Sequence, residues 1–456
     1  MGRRKKPEKK DSFVKKDTKA NAEKLKKERN ATKSFTRLLG MKDVLASDYK
    51  ILEPIINKIE DTASCYSFDK IETPLIEGLP LYKKVLDKNK LDSLFSVEQK
   101  GQEKSCLRPD LIHGISRALI EHNILNTQEK PSKFFSMGPV FRQEVLRSGV
   151  YKQFTQFNFS IFNDIKPSSD ALLISIIYNI FRELQIDVQV QVNSMGDQTC
   201  QKEFLQKFSK ALKEKSKKAK LCPNCKKNSL KNPALLLECQ EESCIEIRNE
   251  MPQIINHLSE ESNARFYKTL EFLDEMGVNY NFNPYLIKDM GYYNDLIFEV
   301  WPIDKNGEVN SKLSLGRGGR YDNLFVTLTG RDLPLLSFNG GLERVFIKLK
   351  ESGHIFDKNK DDVVFLGQID DKAKIKAMSI FKDLRKRGFN VFQAFHLNDL
   401  RNQMEEAKSC KANIVLVLGK KELADETILF RDMESGVQEI VAQKDLISRL
   451  EKKIKI

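Results

Sequence analysis

Residues 134–157 read FFSMGPVFRQEVLRSGVYKQFTQF. An apolar stretch ends in Phe141-Arg142-Gln143-Glu144, so an arginine follows a predicted strand with a glutamate two residues on. That pairing suits a nucleotide, with the guanidinium on phosphate and the carboxylate on an adenine amino group. Much later, Gly341-Leu342-Glu343-Arg344 opens an amphipathic run. An arginine at a helix start can clamp the far end of a triphosphate. Either tetrapeptide alone is equally at home in a solvated, salt-bridged element. The order and the company they keep decide between the two readings.

That company is specific. Residues 286–299 read LIKDMGYYNDLIFE, Gly318-Gly319-Arg320-Tyr321-Asp322 forms a GGRYD block, Leu107-Arg108-Pro109-Asp110 an LRPD block, and Gly40-Met41-Lys42-Asp43 precedes them all. In this order they resemble the histidyl-tRNA synthetase family of class II aminoacyl-tRNA synthetases: "RGxxD", "LRPE", "GPxFR…RxRQFxQ", "LVRGLDYYxxTVFE" and "GGRYD". The similarity is colinear from about residue 37 to the C-terminus. It implies an α+β chain, with a class II antiparallel sheet core, a helical insertion and a C-terminal α/β anticodon-binding domain.

Bulk composition agrees. Lys plus Arg exceed Asp plus Glu by 77 to 64, a formal charge of +13. Such an excess favours a polyanion through counterion release, although a lysine-rich proteome gives the same bias. No apolar run reaches the roughly 20 residues of a membrane span. The basic N-terminus has no hydrophobic segment of the secretory kind. The eight cysteines, several in a CxxC setting, point to a reducing compartment, and the cytoplasm is the expected location.

Residues 1–36 are a Lys/Arg-rich tail with too few apolar side chains to offset the entropy of ordering it. It reads equally as a diffuse arm for tRNA and as a solvated tail. The catalytic region is expected over 37–350. Ser47 is read as an N-cap before a stripe of Ile51, Leu52, Ile55, Ile56 and Ile59, and 66–74 as a strand ending at proline. In the resemblance this pair is motif 1, which builds a homodimer interface. Ile186–Val192, Asp295–Trp301 and Lys312–Leu315 read as strands. Residues 200–275 read as helical and correspond to the family's insertion. From 361 to 456 a β-α-β-α-β alternation predicts a small, partly parallel α/β domain.

The resemblance also implies residue roles. Arg142, Arg344 and Lys288 are the catalytic set, with Lys288 standing where the family has an arginine. Arg142 holds the α-phosphate and the amino-acid carboxylate, Glu144 reads the adenine amino group, Phe154 stacks on adenine, and Arg344 meets the γ-phosphate. Asp110, Ile112, Arg142, Gln156, Ser160, Lys288, Tyr292 and Tyr293 line the histidine site. ATP, Mg²⁺, histidine and tRNA are the implied cofactors and partners. Several of these positions depart from the pattern: Asp110 and Ile112 replace Glu and Thr, Ser160 replaces Glu, Lys288 replaces Arg, and Gly291 replaces Asp. A lysine loses the planar bidentate fork of an arginine, and an isoleucine cannot replace a hydroxyl's hydrogen bond. Two readings stay open. One is a divergent histidine–tRNA ligase, favoured by the retained ATP motifs and anticodon domain. The other is a paralogue that binds tRNA or senses an amino acid.

Cys222-Pro-Asn-Cys225, followed by Cys239 and Cys244 at a looser spacing, is compatible with a tetrahedral Zn²⁺ site, but four free thiols in a reducing compartment are the simpler reading. His113, His122, His257, His354 and His396 are isolated in sequence, with no ligand spacing, and read as ordinary surface or core residues.

Overall fold

Alternation along Gln153–Phe162 sets the large sheet. Phe157, Phe159 and Ile161 point one way into the core, while Gln156, Asn158 and Ser160 point the other. The computed structural model describes residues 36–98, 103–126, 130–143, 149–216, 220–230, 232–239, 241–288, 293–309, 313–353, 362–397 and 399–454. The chain divides into two units, Met1–His354 and Ile355–Ile456. Except for Thr36, the basic tail lies outside the described residues.

In the first unit the strands are β1 (Asp69–Lys70), β2 (Ile76–Gly78), β3 (Ser96–Val97), β4 (Ser105–Leu107), β5 (Ser132–Phe141) and β6 (Gln153–Phe162). They are followed by β7 (Val188–Ser194), β8 (Tyr280–Phe282), β9 (Asn294–Pro302), β10 (Gly316–Arg320) and β11 (Leu335–Gly341). Eight of them form one sheet in the order β1-β5-β6-β11-β10-β9-β7-β8, and β2-β4-β3 form a smaller one. The six central strands pair antiparallel, whereas β1 with β5 and β7 with β8 pair parallel at the edges. The sheet is therefore mixed at its rims.

One face is aromatic. Phe298 and Phe338 stack 5.7 Å apart across β10, and a Cβ on Gly318 would lie 2.4 Å from the Phe298 ring. The GGRYD glycines thus make room for rings, and they occupy β10 itself. Of the strand expected at Lys312–Leu315, Lys312 lies outside the described residues, and the observed strand β10 begins after Leu315, at Gly316. At Gly319 (φ +153°) the register with β9 shifts, a bulge that only glycine fits beside Leu296 O.

Helix Ala46–Cys65 has Leu45 as its N-cap residue with no side-chain cap, so Ser47 sits inside the first turn and does not cap. Leu52, Ile55 and Ile59 are buried, whereas Ile51 and Ile56 are partly exposed. The strand expected over 66–74 shortens to β1, with extended chain after it. Between β7 and β8 the chain is helical: Gln198–Ser216, Pro223–Asn228, Ala234–Glu238, Glu242–Asn249 and Glu260–Glu275. Under the sheet, Arg320 (fully buried) meets Asp170 (1% exposed) at 2.7 Å and donates to Asp164 O at 2.8 Å. Asp322 accepts from Asn294 and from Leu335 N, both at 2.7 Å. The arginine and aspartate of GGRYD therefore hold the fold.

The second unit has β12 (Val363–Gln368), β13 (Asn390–Gln393), β14 (Ile414–Leu418), β15 (Thr427–Asp432) and β16 (Gln438–Ala442), ordered β13-β12-β14-β15-β16. The first three are parallel, and the last two add antiparallel strands beyond the expected alternation. Helices Asp371–Lys386 and Leu400–Ser409 start on Asp370 and Asp399, whose carboxylates accept from Ala373 N and Asn402 N.

Candidate active site

The polar face of the large sheet carries a cavity of about 420 Å³. Its walls include Asp110, Ile112, His113, Arg142, Phe154, Gln156, Tyr293, Arg317, Tyr321, Asn339 and Arg344. Residues far apart in sequence meet here because β5, β6, β10 and β11 are neighbours in the sheet, and each positions its side chains by register.

Arg142 leaves the end of β5. Its Nε donates to Pro109 O at 2.7 Å, and its guanidinium lies 5.4 Å from the Phe154 ring centroid. Arg344 sits in the first turn of helix Leu342–Glu351 and donates to Ser314 O at 2.8 Å. Beside it, the Glu343 carboxylate accepts from Thr155 N at 2.8 and 3.0 Å, tying that helix to β6. Burial pushes the Glu343 carboxyl up.

Next to Pro109, the carbonyl partner of Arg142, the polar groups of the wall engage each other. Arg108 of LRPD is fully buried and donates to Pro139 O at 2.9 Å and to Thr73 O at 2.7 Å, which fixes the next two residues. Asp110 then meets His113 Nδ1 at 2.6 Å. Burial pushes the Asp110 carboxyl up, but the His113 imidazole and the Arg142 guanidinium outweigh it, so it lies below the usual carboxylate range. His113, read from sequence as an isolated histidine, is a buried partner of a site carboxylate. The signal was its position three residues after Asp110, at the start of a helix. Gln156 Oε1 accepts from Leu111 N at 3.0 Å.

Ser160 is fully buried and does not line the cavity. Its hydroxyl donates to Asn158 Oδ1 at 2.7 Å and lies 2.9 Å from Ser337 Oγ. Asn158 in turn donates to Ser337 Oγ at 2.8 Å and to Asn339 Oδ1 at 2.9 Å. Asn339 reaches Tyr321 Oη at 3.5 Å, and Tyr321 and Tyr293 share a 2.6 Å contact between hydroxyls. This chain of polar groups crosses β6 and β11 and continues to Tyr321, just after β10, and Tyr293, just before β9, so no single sequence segment contains it. Arg317 on β10 is a further cation in the wall, paired with Glu299 at 2.7 Å, which sequence reading missed. Lys288 is half-buried after β8, does not line the cavity, and follows buried Leu286 and Ile287. Glu144, Gly291 and Tyr292 lie outside the described residues.

The four insertion cysteines converge: their sulfurs all lie within 4.8 Å of one another, with Cys222 and Cys239 3.9 Å apart. The N–H of Cys225 lowers the Cys222 thiol, while burial raises Cys225 and Cys244.

Residues 40–344 match the family model described as histidyl-tRNA synthetase. The chain belongs to that family. Residues 361–453 match a second model, an anticodon binding domain. Histidine–tRNA ligase of Campylobacter hominis is 31% identical over 422 residues, covering 92% of this chain and 97% of that protein. The Thermosipho melanesiensis histidine–tRNA ligase is 28% identical over 417 residues, covering 91% and 97%. Among solved structures, apo S. aureus histidyl-tRNA synthetase superposes with a TM-score of 0.75 at 24% identity, covering 91% of this chain and 99% of that one. An ATP phosphoribosyltransferase regulatory subunit/histidyl-tRNA synthetase from Bacillus halodurans follows at 0.59 and 19%, covering 84% and 98%. Fold and family are those of a class II aminoacyl-tRNA synthetase.

Proposed function

We propose that this protein is a histidine–tRNA ligase. The observation that carries the reading is the convergence of Arg142, Phe154 and Arg344 with Asp110 and Gln156 on one cavity, in a chain of this family. A histidine carboxylate oxygen attacks the α-phosphorus of ATP; the new P–O bond forms as the bond to the bridging oxygen breaks, and pyrophosphate leaves. The terminal ribose hydroxyl of tRNA then attacks the acyl carbon, and AMP departs.

Alignment and charge stabilisation are the protein's share of this chemistry. Arg142, fixed by Pro109 O, holds the α-phosphate and the carboxylate. Phe154 stacks on adenine, Glu144 reads its amino group, and Arg344 meets the γ-phosphate. Asp110, Ile112, Gln156 and Tyr293 line the histidine end, Ser160 acts through Asn158, and the family resemblance assigns Lys288 and Tyr292 to the same substrate. Arg317 adds a third guanidinium. Among the described residues Asp110 is the one carboxylate in the cavity wall, and His113 engages it. Such a wall suits Mg²⁺ held by phosphate oxygens and water, where it neutralises charge on the triphosphate. Zn²⁺ is the candidate for the four thiols.

The anticodon-binding match supports tRNA as the macromolecular partner. Leu38, Leu39, Leu45 and Tyr49 are exposed around the start of helix Ala46–Cys65, which supports a homodimer through that face. Among the described residues no helix is long and apolar enough to cross a membrane, and with eight free cysteines we place the protein in the cytoplasm.

The test is ATP–pyrophosphate exchange with each amino acid, followed by charging of tRNA. Exchange with histidine alone is expected. ATP binding without exchange for any amino acid favours the second reading, a tRNA-binding or amino-acid-sensing paralogue. That reading draws on Ser160 and Asp110, whose polar groups are taken up by protein partners.

A further inference from the structure

We propose that Cys222, Cys225, Cys239 and Cys244 hold one tetrahedral Zn²⁺, and that this ion fixes the insertion against the segment 283–288, which carries Lys288. Four thiolates around zinc at about 2.3 Å lie roughly 3.8 Å from each other. Here all four sulfurs fall within 4.8 Å of one another, and one pair stands at 3.9 Å. A disulfide needs about 2.05 Å, and all eight cysteines are free. Tetrahedral sulfur selects zinc or iron. Iron–sulfur cages set their thiolates around a cluster of several atoms, and this cradle is sized for a single ion.

The local chain is arranged as a ligand set. Cys222 N-caps helix Pro223–Asn228, its sulfur accepting from Cys225 N at 3.4 Å. Cys244 Sγ accepts from Cys222 N at 3.3 Å. A thiol is a weak acceptor and a thiolate a stronger one, so both contacts favour metal-bound sulfur. Four thiolates and Zn²⁺ sum to −2. Lys226 and Lys227 lie on that helix, and Arg248 donates to Leu237 O at 3.0 Å and to Cys239 O at 3.4 Å, beside the cluster.

The helices that deliver these sulfurs, Pro223–Asn228, Ala234–Glu238 and Glu242–Asn249, have 6, 5 and 8 residues. Isolated helices below about 12 residues are marginal in water, so something beyond helix propensity must hold them. A metal supplies that cross-link.

From the cluster a continuous path leads to the active-site side. Arg248 lies 5.3 Å from the Tyr285 ring centroid, and the Tyr285 hydroxyl donates to Asn249 O at 2.9 Å. Leu286 and Ile287 share one core with Cys225, Leu236, Leu237 and Cys244. On the far side, Asn193 donates to Pro284 O at 3.3 Å and to Leu286 O at 3.1 Å. Segment 283–288 is therefore clamped between β7 and the sulfur cluster.

Metal analysis of the purified full-length chain, prepared without a metal-affinity step, is expected to give about one zinc per chain. Stripping with a chelator should make four further thiols reactive, and returning Zn²⁺ should protect them again. Cys239→Ser should lower zinc retention at least tenfold under competing chelator. Hydrogen exchange across 283–288 should accelerate at least tenfold on stripping and recover with zinc. A folded protein that carries no zinc and takes up none, or that carries iron, overturns the site. Unchanged exchange at 283–288 after complete stripping overturns the clamp and leaves the site standing. If Cys239→Ser fails to fold, the stripped and reloaded wild type decides both points. None of these readouts depends on aminoacylation, so the metal site and the ligase reading fail separately.

Discussion

Two parts of the cavity wall are built on different plans. At the proposed phosphate end, Arg142 donates to Pro109 O and Arg344 to Ser314 O, from the end of a strand and the start of a helix. At the amino-acid end, side chains hold other side chains: Asp110 with His113, and Ser160 with Asn158, Ser337 and Asn339. Each guanidinium belongs to a short recognisable motif, although its carbonyl partner comes from a segment 33 residues away for Arg142 and 30 for Arg344. A cross-strand network is placed by register between β6 and β11, and a change in one member calls for changes in the others. The second end can therefore diverge while the first stays recognisable.

The contrast breaks most readily at Arg142. Arg142→Ala should lower histidine-dependent exchange by ~10²–10³ with the melting temperature nearly unchanged, because the loss falls on a transition-state contact. Activity within tenfold of wild type would mean that the phosphate end is held elsewhere, with Arg317 the first candidate. Lys288→Arg should raise exchange by roughly tenfold or more, since the planar fork is restored. No change would mean that the amino-acid end has been rebuilt around other groups.

Asn158→Ala sharpens the comparison from the network side. It removes donors to Ser337, Phe338 and Asn339 in a fully buried position. Thermal or denaturant unfolding should show a cost of about 1–3 kcal/mol, together with a raised KM for histidine and an unaltered KM for ATP. Equal rises in both constants would show that the two ends are not independent. The smallest effect concerns acid. The Asp110 carboxyl lies below its ordinary range, so its stabilising contribution is complete above the unfolded carboxylate pKa and is lost as pH falls through the lowered folded value. The stability gap between wild type and Asp110→Asn should narrow on acidification; a gap that widens would reverse the sign assigned to the His113 contact.

How much of this could be read in the sequence follows the same division. The β5–β6 hairpin, the helix opening at Leu342 and the alternation after residue 361 were legible because local pattern and tertiary role agree there. Ser47 was misread because its residue type suits a cap, yet the N-cap position falls at Leu45 and the helix begins at Ala46. The GGRYD strand escaped notice because glycine is a poor strand former, and it is held by its ladders to β9 and β11 with the rings of Phe298 and Phe338 packed over it. His113 escaped a search for metal-type spacing because its partner is a carboxylate. Arg317 stands immediately before the GGRYD block but is not part of that pattern. Its place in the wall comes from β10 lying between β9 and β11, which is a property of topology.

The buried pair of Arg320 and Asp170 has a consequence for descent. Removing either partner leaves an under-compensated charge in the interior, which typically costs about 3–5 kcal/mol, and the change also reaches Asp322, 3.8 Å from Arg320, and Arg265, 3.9 Å from Asp170. Each position is thus entrenched by the other: single-step replacements pass through a destabilised intermediate, and the two codons, 150 residues apart, are bound to change together or stay. The arginine of GGRYD can then outlast changes of substrate, because the fold keeps it whatever the pocket binds.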